Sequence, residues 1–138
     1  MARKMMNRLG RLLPNGFPRW VRIYDNGGPD AKAGSIDRYT VVYTGRYRRK
    51  TGGEFIYVGM SGAPFWPQGV CQHGSSRVQV DRPRHGHVGR RIGFLDLPED
   101  CRTVALRDYL DLWDLVPGNG VGAQEVAREM VSARAKAN

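Results

Sequence analysis

The polar and apolar positions fall into several short runs and two longer ones. Residues 20–24, Trp-Val-Arg-Ile-Tyr, are a short run rich in β-formers and predict a strand. Asp25-Asn26-Gly27-Gly28 then signals a turn, and residues 29–36 continue as a loop. Residues 38–44 give the clearest strand, dense in β-branched and aromatic side chains. A basic, glycine-flanked connection over 45–53 leads to another strand at 55–60, which predicts a hairpin with a cationic tip. Residues 61–88 show no period and predict a long loop, ordered by its Pro, Phe and Trp content. A further strand is expected at 91–95.

The strongest helix signal follows. Asp96 precedes Leu97-Pro98-Glu99-Asp100, which places a proline and acids in a first turn, where free amides and the helix dipole favour them. The helix is expected over 98–115, with Cys101, Val104, Ala105, Leu112 and Trp113 as its buried stripe. Asp108, Asp111 and Asp114 are expected on its outer face, and Pro117-Gly118 ends it. A last, short helix is predicted over 123–135. At the other terminus, Met5, Met6, Leu9, Leu12 and Leu13 sit near helical spacing between Arg3, Lys4, Arg8 and Arg11, until Pro14-Asn15-Gly16.

These elements define an α+β fold: a mainly antiparallel sheet of about four strands packed on one principal C-terminal helix. A basic N-terminal arm (1–18) precedes a single domain (19–116), and a linker with the last helix follows (117–138). A chain of 138 residues fits one domain and buries enough surface to fold without disulfides or metals. Two distant cysteines, Cys71 and Cys101, read as reduced thiols. Neither a signal-peptide core nor a membrane-spanning run is present, so a cytoplasmic protein with no membrane span is expected.

Charge changes the picture most. The formal net charge is +9, with 22 Lys and Arg against 13 acids. Residues 1–91 carry 17 basic and 5 acidic side chains, whereas residues 92–138 carry 5 and 8. A basic body beside an acidic C-terminal region suggests a polyanion for one face and a partner or solvent for the other. Arg46, Arg48, Arg49 and Lys50, together with Arg84, Arg90 and Arg91, are the candidate phosphate contacts, because guanidinium groups grip phosphate bidentately. Tyr47, Phe65 and Trp66 lie near these clusters, where they can stack on bases or anchor loops. Gln68, Gln72 and His73, in the unusual 64–74 segment, form a candidate loop site.

Sets of residues that would carry catalysis are sparse. The sequence has no nucleophile elbow, P-loop, Rossmann glycine pattern or paired catalytic carboxylates, so no catalytic residue and no cofactor is assigned. Asp37 and His73 could serve as an acid–base pair only if the fold joins them. Cys71-x-His73 and His85-x-His87 each place two potential zinc ligands on one side of an extended chain. Their spacing matches no common zinc module, and Arg82, Arg84, Arg90 and Arg91 crowd them, so no metal is assigned. Val42-Tyr43-Thr44 and Tyr57-Val58-Gly59-Met60-Ser61 resemble the paired strands of GIY-YIG nucleases, in which a tyrosine from each strand faces the scissile phosphate. The sequence departs from that family where a proline-rich loop follows Ser61 in place of its arginine-bearing helix.

A broader resemblance rests on three phrases: Asp37-Arg38-Tyr39-Thr40-Val41-Val42, Met60-Ser61-x-x-Pro64-Phe65-x-Pro67-Gln68-Gly69-x-x-Gln72-His73-Gly74 and Gly89-Arg90-Arg91-Ile92-x-Phe94-x-Asp96-Leu97-Pro98. Together they resemble a family of small proteins encoded by phages and plasmids, over about residues 20–115. The resemblance implies a bacterial cytoplasm and supplies no catalytic residues. The expectation is a nucleic-acid-binding accessory protein, DNA or RNA, that grips phosphates through basic loops. Alternatives are an inhibitor that binds a host defence or replication protein, and a small phosphodiesterase using Tyr43, Tyr57 and His73.

Overall fold

A computed structural model describes residues 17–27, 37–44, 55–67, 69–76, 89–113 and 120–137. The N-terminal arm up to residue 16, the cationic tip at 46–50, Gln68, and the stretch with Arg84, His85 and His87 lie outside them.

Among the described residues, five strands form one antiparallel sheet: β1 (Val21–Asp25), β2 (Tyr39–Tyr43), β3 (Phe55–Met60), β4 (Cys71–Ser76) and β5 (Arg90–Ile92). Their order is β4-β3-β2-β1-β5, so the first four form a meander and β5 closes the far side against β1. The expected hairpin is present, with Val41 opposite Val58. The strand expected at 91–95 is shorter and gives way to a 3-10 turn at Phe94–Asp96, where Asp96 accepts the Gly93 amide at 2.8 Å. β4 is a strand within the stretch expected to be loop.

Helix α1 (Glu99–Leu112) starts after Pro98, with Glu99 and Asp100 in its first turn, as the sequence pattern requires. Helix α2 (Gly120–Ala137) has 18 residues against 14 in α1, so the last helix is the longer one and not a short appendage. The helices run antiparallel: Arg107 Nη1 donates to Gln124 Oε1 at 3.0 Å, and Ser132 Oγ to Glu99 Oε1 at 3.4 Å.

Alternation along the strands sorts the sheet into two faces. Ile23, Tyr39, Val41, Tyr43, Val58 and Met60 join the core built with Leu97, Cys101, Val104, Ala105, Leu106, Tyr109 and Leu110 of the helix side. Ala123, Ala127 and Val131 of α2 belong to the same core, which makes the last helix part of the folded body. Burying an aliphatic side chain of this kind contributes about 1.5–3 kcal/mol before chain entropy is subtracted.

One buried polar residue staples the sheet together. Asn26, just after β1, donates through Nδ2 to Thr40 Oγ1 (2.7 Å) and the Asp37 carbonyl (3.2 Å), and accepts the Gly89 amide (2.7 Å). Its own amide donates to the Arg38 carbonyl at 2.7 Å. It thereby ties the entrances of β2 and β5 to the exit of β1, which no apolar residue could do without stranding those groups.

Candidate functional site

The register defines two ends of the sheet. Asp25, Tyr39, Met60 and Cys71 mark one; Val21, Tyr43, Phe55 and Ser76 mark the other. With β1 five residues long, the ends lie about 14 Å apart.

At the Asp25 end, charges are partly neutralised. Asp25 accepts from Arg38 Nε (2.8 Å) and Nη2 (3.3 Å) and from the Gly27 amide (2.9 Å), while Arg90 Nη2 stands 3.9 Å away. The Arg38 hydrogen bond is the main cause holding the Asp25 carboxyl below its ordinary range. Two arginines share one carboxylate, and Arg90, 79% exposed, remains accessible to an anion. Arg91 is its neighbour in sequence, but strand alternation turns it to the other face of the sheet. The two arginines therefore do not form one phosphate clamp.

Along the edge strand β4, a second constellation meets the helices. His73 Nε2 lies 2.8 Å from Asp108 Oδ2, and Asp108 Oδ1 accepts from Arg107 Nε at 2.9 Å. Arg107 continues to Gln124 through Nη1 and lies 4.0 Å from Cys71 Sγ through Nη2. Burial is the largest single influence on the Arg107 pKa and lowers it, but the hydrogen bond and charge of Asp108 together with Cys71 outweigh it and raise the pKa. The Asp108 hydrogen bond likewise raises His73 above the ordinary imidazole value. With Nε2 held by the carboxylate, Nδ1 is the ring nitrogen left for proton transfer or ligand binding. Cys71, two residues earlier on the same strand face, has its thiol pushed up mainly by burial, so it is not an activated nucleophile.

Three sequence expectations meet corrections here. Asp108, expected on the outer face of the helix, is turned inward, only 18% exposed, and joins the sheet edge. The acid partner of His73 is therefore Asp108 and not Asp37, whose carboxylate packs over Gly59 and is raised by burial. Tyr43 and Tyr57 do not share a face: Tyr43 is fully buried and donates to the Ala105 carbonyl at 2.9 Å, whereas Tyr57 lies over Gly74 on the opposite side. The tyrosine pair that a GIY-YIG-type site needs is thus divided by the sheet.

Gln72 is exposed on β4, and alternation places it on the face opposite His73. Among the described residues, no group of three or more His, Cys, Asp and Glu is arranged to hold a metal ion, and no helix is long and apolar enough to cross a membrane.

The loop between β3 and β4 is folded on itself. Ser61 N donates to the Val70 carbonyl, Val70 N to Ser61 Oγ, Trp66 N to the Ala63 carbonyl and Gly69 N to the Trp66 carbonyl, at 2.8–3.2 Å. Gly69 passes so near the Ala63 carbonyl that a Cβ there has no room. Phe65 packs on the core under the Arg128 guanidinium, 5.0 Å from its ring centroid, and Trp66 stands 69% exposed.

No family model matches this sequence, and no curated protein or solved structure is significantly similar to it.

Proposed function

We propose that this protein binds nucleic acid through its phosphates, with Arg46, Arg48, Arg49, Lys50 and Arg84 as principal contacts and Arg90 and Arg91 as outlying ones. The observation that carries the proposal is where the charged segments attach. Residues 1–16, 45–54 and 77–88 hold eleven Lys and Arg against two acids, while the remaining hundred residues hold eleven of each. The entire net charge of +9 therefore belongs to three segments.

The first two attach at one end of the sheet, whereas the third leaves from that end and returns at the other, where Gly89 meets Asn26 beside Asp25. The first enters beside Phe17, which packs on Phe94 at 4.9 Å just beyond β5, and Trp20, whose carbonyl accepts from Thr44 N at 3.0 Å. The second links Tyr43 to Phe55, and the third leaves from Ser76, which pairs with Phe55. Cations concentrated on three segments of a neutral scaffold, each with a root at that first end, give the clustered footprint of a polyanion binder. Phosphate contacts of this kind supply affinity with little base reading. In the phage- or plasmid-borne setting that the sequence resemblance implies, such a protein acts as an accessory to nucleic-acid processing and needs no catalytic residue of its own.

Fluorescence anisotropy of labelled DNA and RNA, single- and double-stranded, tests this directly. Binding that tightens strongly at low salt is expected. Weak, salt-insensitive binding to every probe would overturn the proposal and favour a protein target for the cationic end.

A further inference from the structure

We infer that Trp66 is a stacking platform for an unpaired base, so that the bound nucleic acid is single-stranded where it passes the β3–β4 loop. The inference rests on the nucleic-acid binding proposed above and specifies the class of ligand.

A singly exposed apolar side chain is common on protein surfaces, so what marks Trp66 is the way its loop presents it. In most proteins an exposed tryptophan can fold back as its loop relaxes. Here the loop backbone is held, because both the amide and the carbonyl of Trp66 are committed within the turn. The loop neck is closed by Ser61 and Val70, and Pro64 and Phe65 are seated below it, Phe65 pinned by Arg128. Gly69 allows the close backbone crossing that completes the turn. The result is an aromatic side chain carried on a preorganised backbone, so that the cost of ordering the loop is met on folding and not on binding.

Two occupants fit an isolated indole: an apolar pocket of another protein, or a base. The charge distribution favours the base, since the only large excess of charge in this chain attracts polyanions. Geometry agrees. β4 is six residues, about 20 Å, and runs from the loop to the end where each cationic segment has a root, a span of roughly six stacked nucleotides. Paired bases within a duplex present no face to Trp66, so the contact requires a single strand.

The test compares the wild-type chain with Trp66→Ala and Trp66→Phe, using a labelled oligothymidine of about a dozen nucleotides and a blunt duplex of equal length. Trp66→Ala is expected to weaken single-strand binding by about 5- to 100-fold, to leave duplex affinity unchanged, and to abolish most quenching of intrinsic fluorescence. Trp66→Phe should retain most of the affinity. Trp20 and Trp113, packed together at 5.3 Å, supply the unquenched background. Trp66 being exposed, an unchanged thermal midpoint should accompany each variant. Unaltered single-strand affinity in Trp66→Ala would overturn the inference while leaving phosphate binding intact, and would assign Trp66 to a protein partner. Failure of the wild-type chain to bind either probe would overturn both.

Discussion

His73 on the outermost strand and Asp108 on the first helix meet at 2.8 Å, and with the Arg107–Cys71 contact they join the sheet edge to the helical layer. Arg107 fixes the other carboxylate oxygen, so the imidazole meets a carboxylate that is already oriented. The groups facing His73 are Asp108 and Arg107 of α1 and Cys71 of its own strand, with neutral Gln124 behind Arg107.

This pair makes stability depend on pH in a defined direction. His73 is raised in the folded state by its bond to Asp108, so its contribution is complete below the unfolded value of 6.5 and is lost as pH rises through the folded value. With half of the side chain exposed, solvent screening limits the effect to about 0.2–1 kcal/mol. Urea unfolding of wild type and His73→Asn should differ most at mildly acidic pH and converge in alkaline buffer. A difference that grows with pH would contradict the assignment.

Tyr43 tests the internal frame. Its hydroxyl reaches the Ala105 carbonyl inside the core, and its ring lies 6.4 Å from Tyr109. Tyr43→Phe should cost about 1 kcal/mol by chemical denaturation and leave nucleic-acid affinity unchanged. A specific loss of binding or activity with unaltered stability would instead give this tyrosine a functional role.

The cysteines should differ in reactivity. Burial pushes the Cys101 thiol up to about 12, while Cys71 is half-buried on the edge strand and raised less severely. Alkylation of the native protein at neutral pH should be slow at both and slower at Cys101, with full labelling only on unfolding. Mass spectrometry after timed quenching reads the order.

Glycines at close crossings should rank by what a Cβ would strike. At Gly69 the obstacle is the Ala63 backbone, which cannot yield; at Gly74 it is the tip of the Tyr57 ring, which can swing away. Gly69→Ala should therefore destabilise more than Gly74→Ala, by about 1–3 kcal/mol against a smaller loss. Equal thermal shifts would contradict the rigid loop on which Trp66 is displayed.

Much of the scaffold is legible in the sequence because it is made from residues with strong local preferences. Tyr39–Tyr43 and Phe55–Met60 announce themselves through β-branched and aromatic side chains, and α1 through Pro98 and the acids behind it. β4 is hidden for the opposite reason: Cys-Gln-His-Gly-Ser-Ser has no β-branched or aromatic residue and takes its shape from pairing with β3. The inward turn of Asp108 is hidden because α1 is buried on more than one side. Thr103, Leu106 and Leu110 are buried along with Cys101, Val104, Ala105 and Tyr109, so no single apolar stripe marks an outer face. With β4 unseen, the His73–Asp108 contact had no strand to rest on. The adjacency of Arg90 and Arg91 misleads in another way, since neighbours on a strand point apart.

The most direct test of the central claim is the salt dependence of nucleic-acid affinity, measured for the wild-type chain and for a variant with Arg46, Arg48, Arg49 and Lys50 changed to alanine. Each phosphate contact contributes about 0.7–0.9 to the slope of log affinity against log salt. A steep wild-type slope is expected, becoming shallower by roughly one for each contacting residue removed, with the thermal midpoint preserved. An unchanged slope would contradict the assignment of binding to the cationic segments.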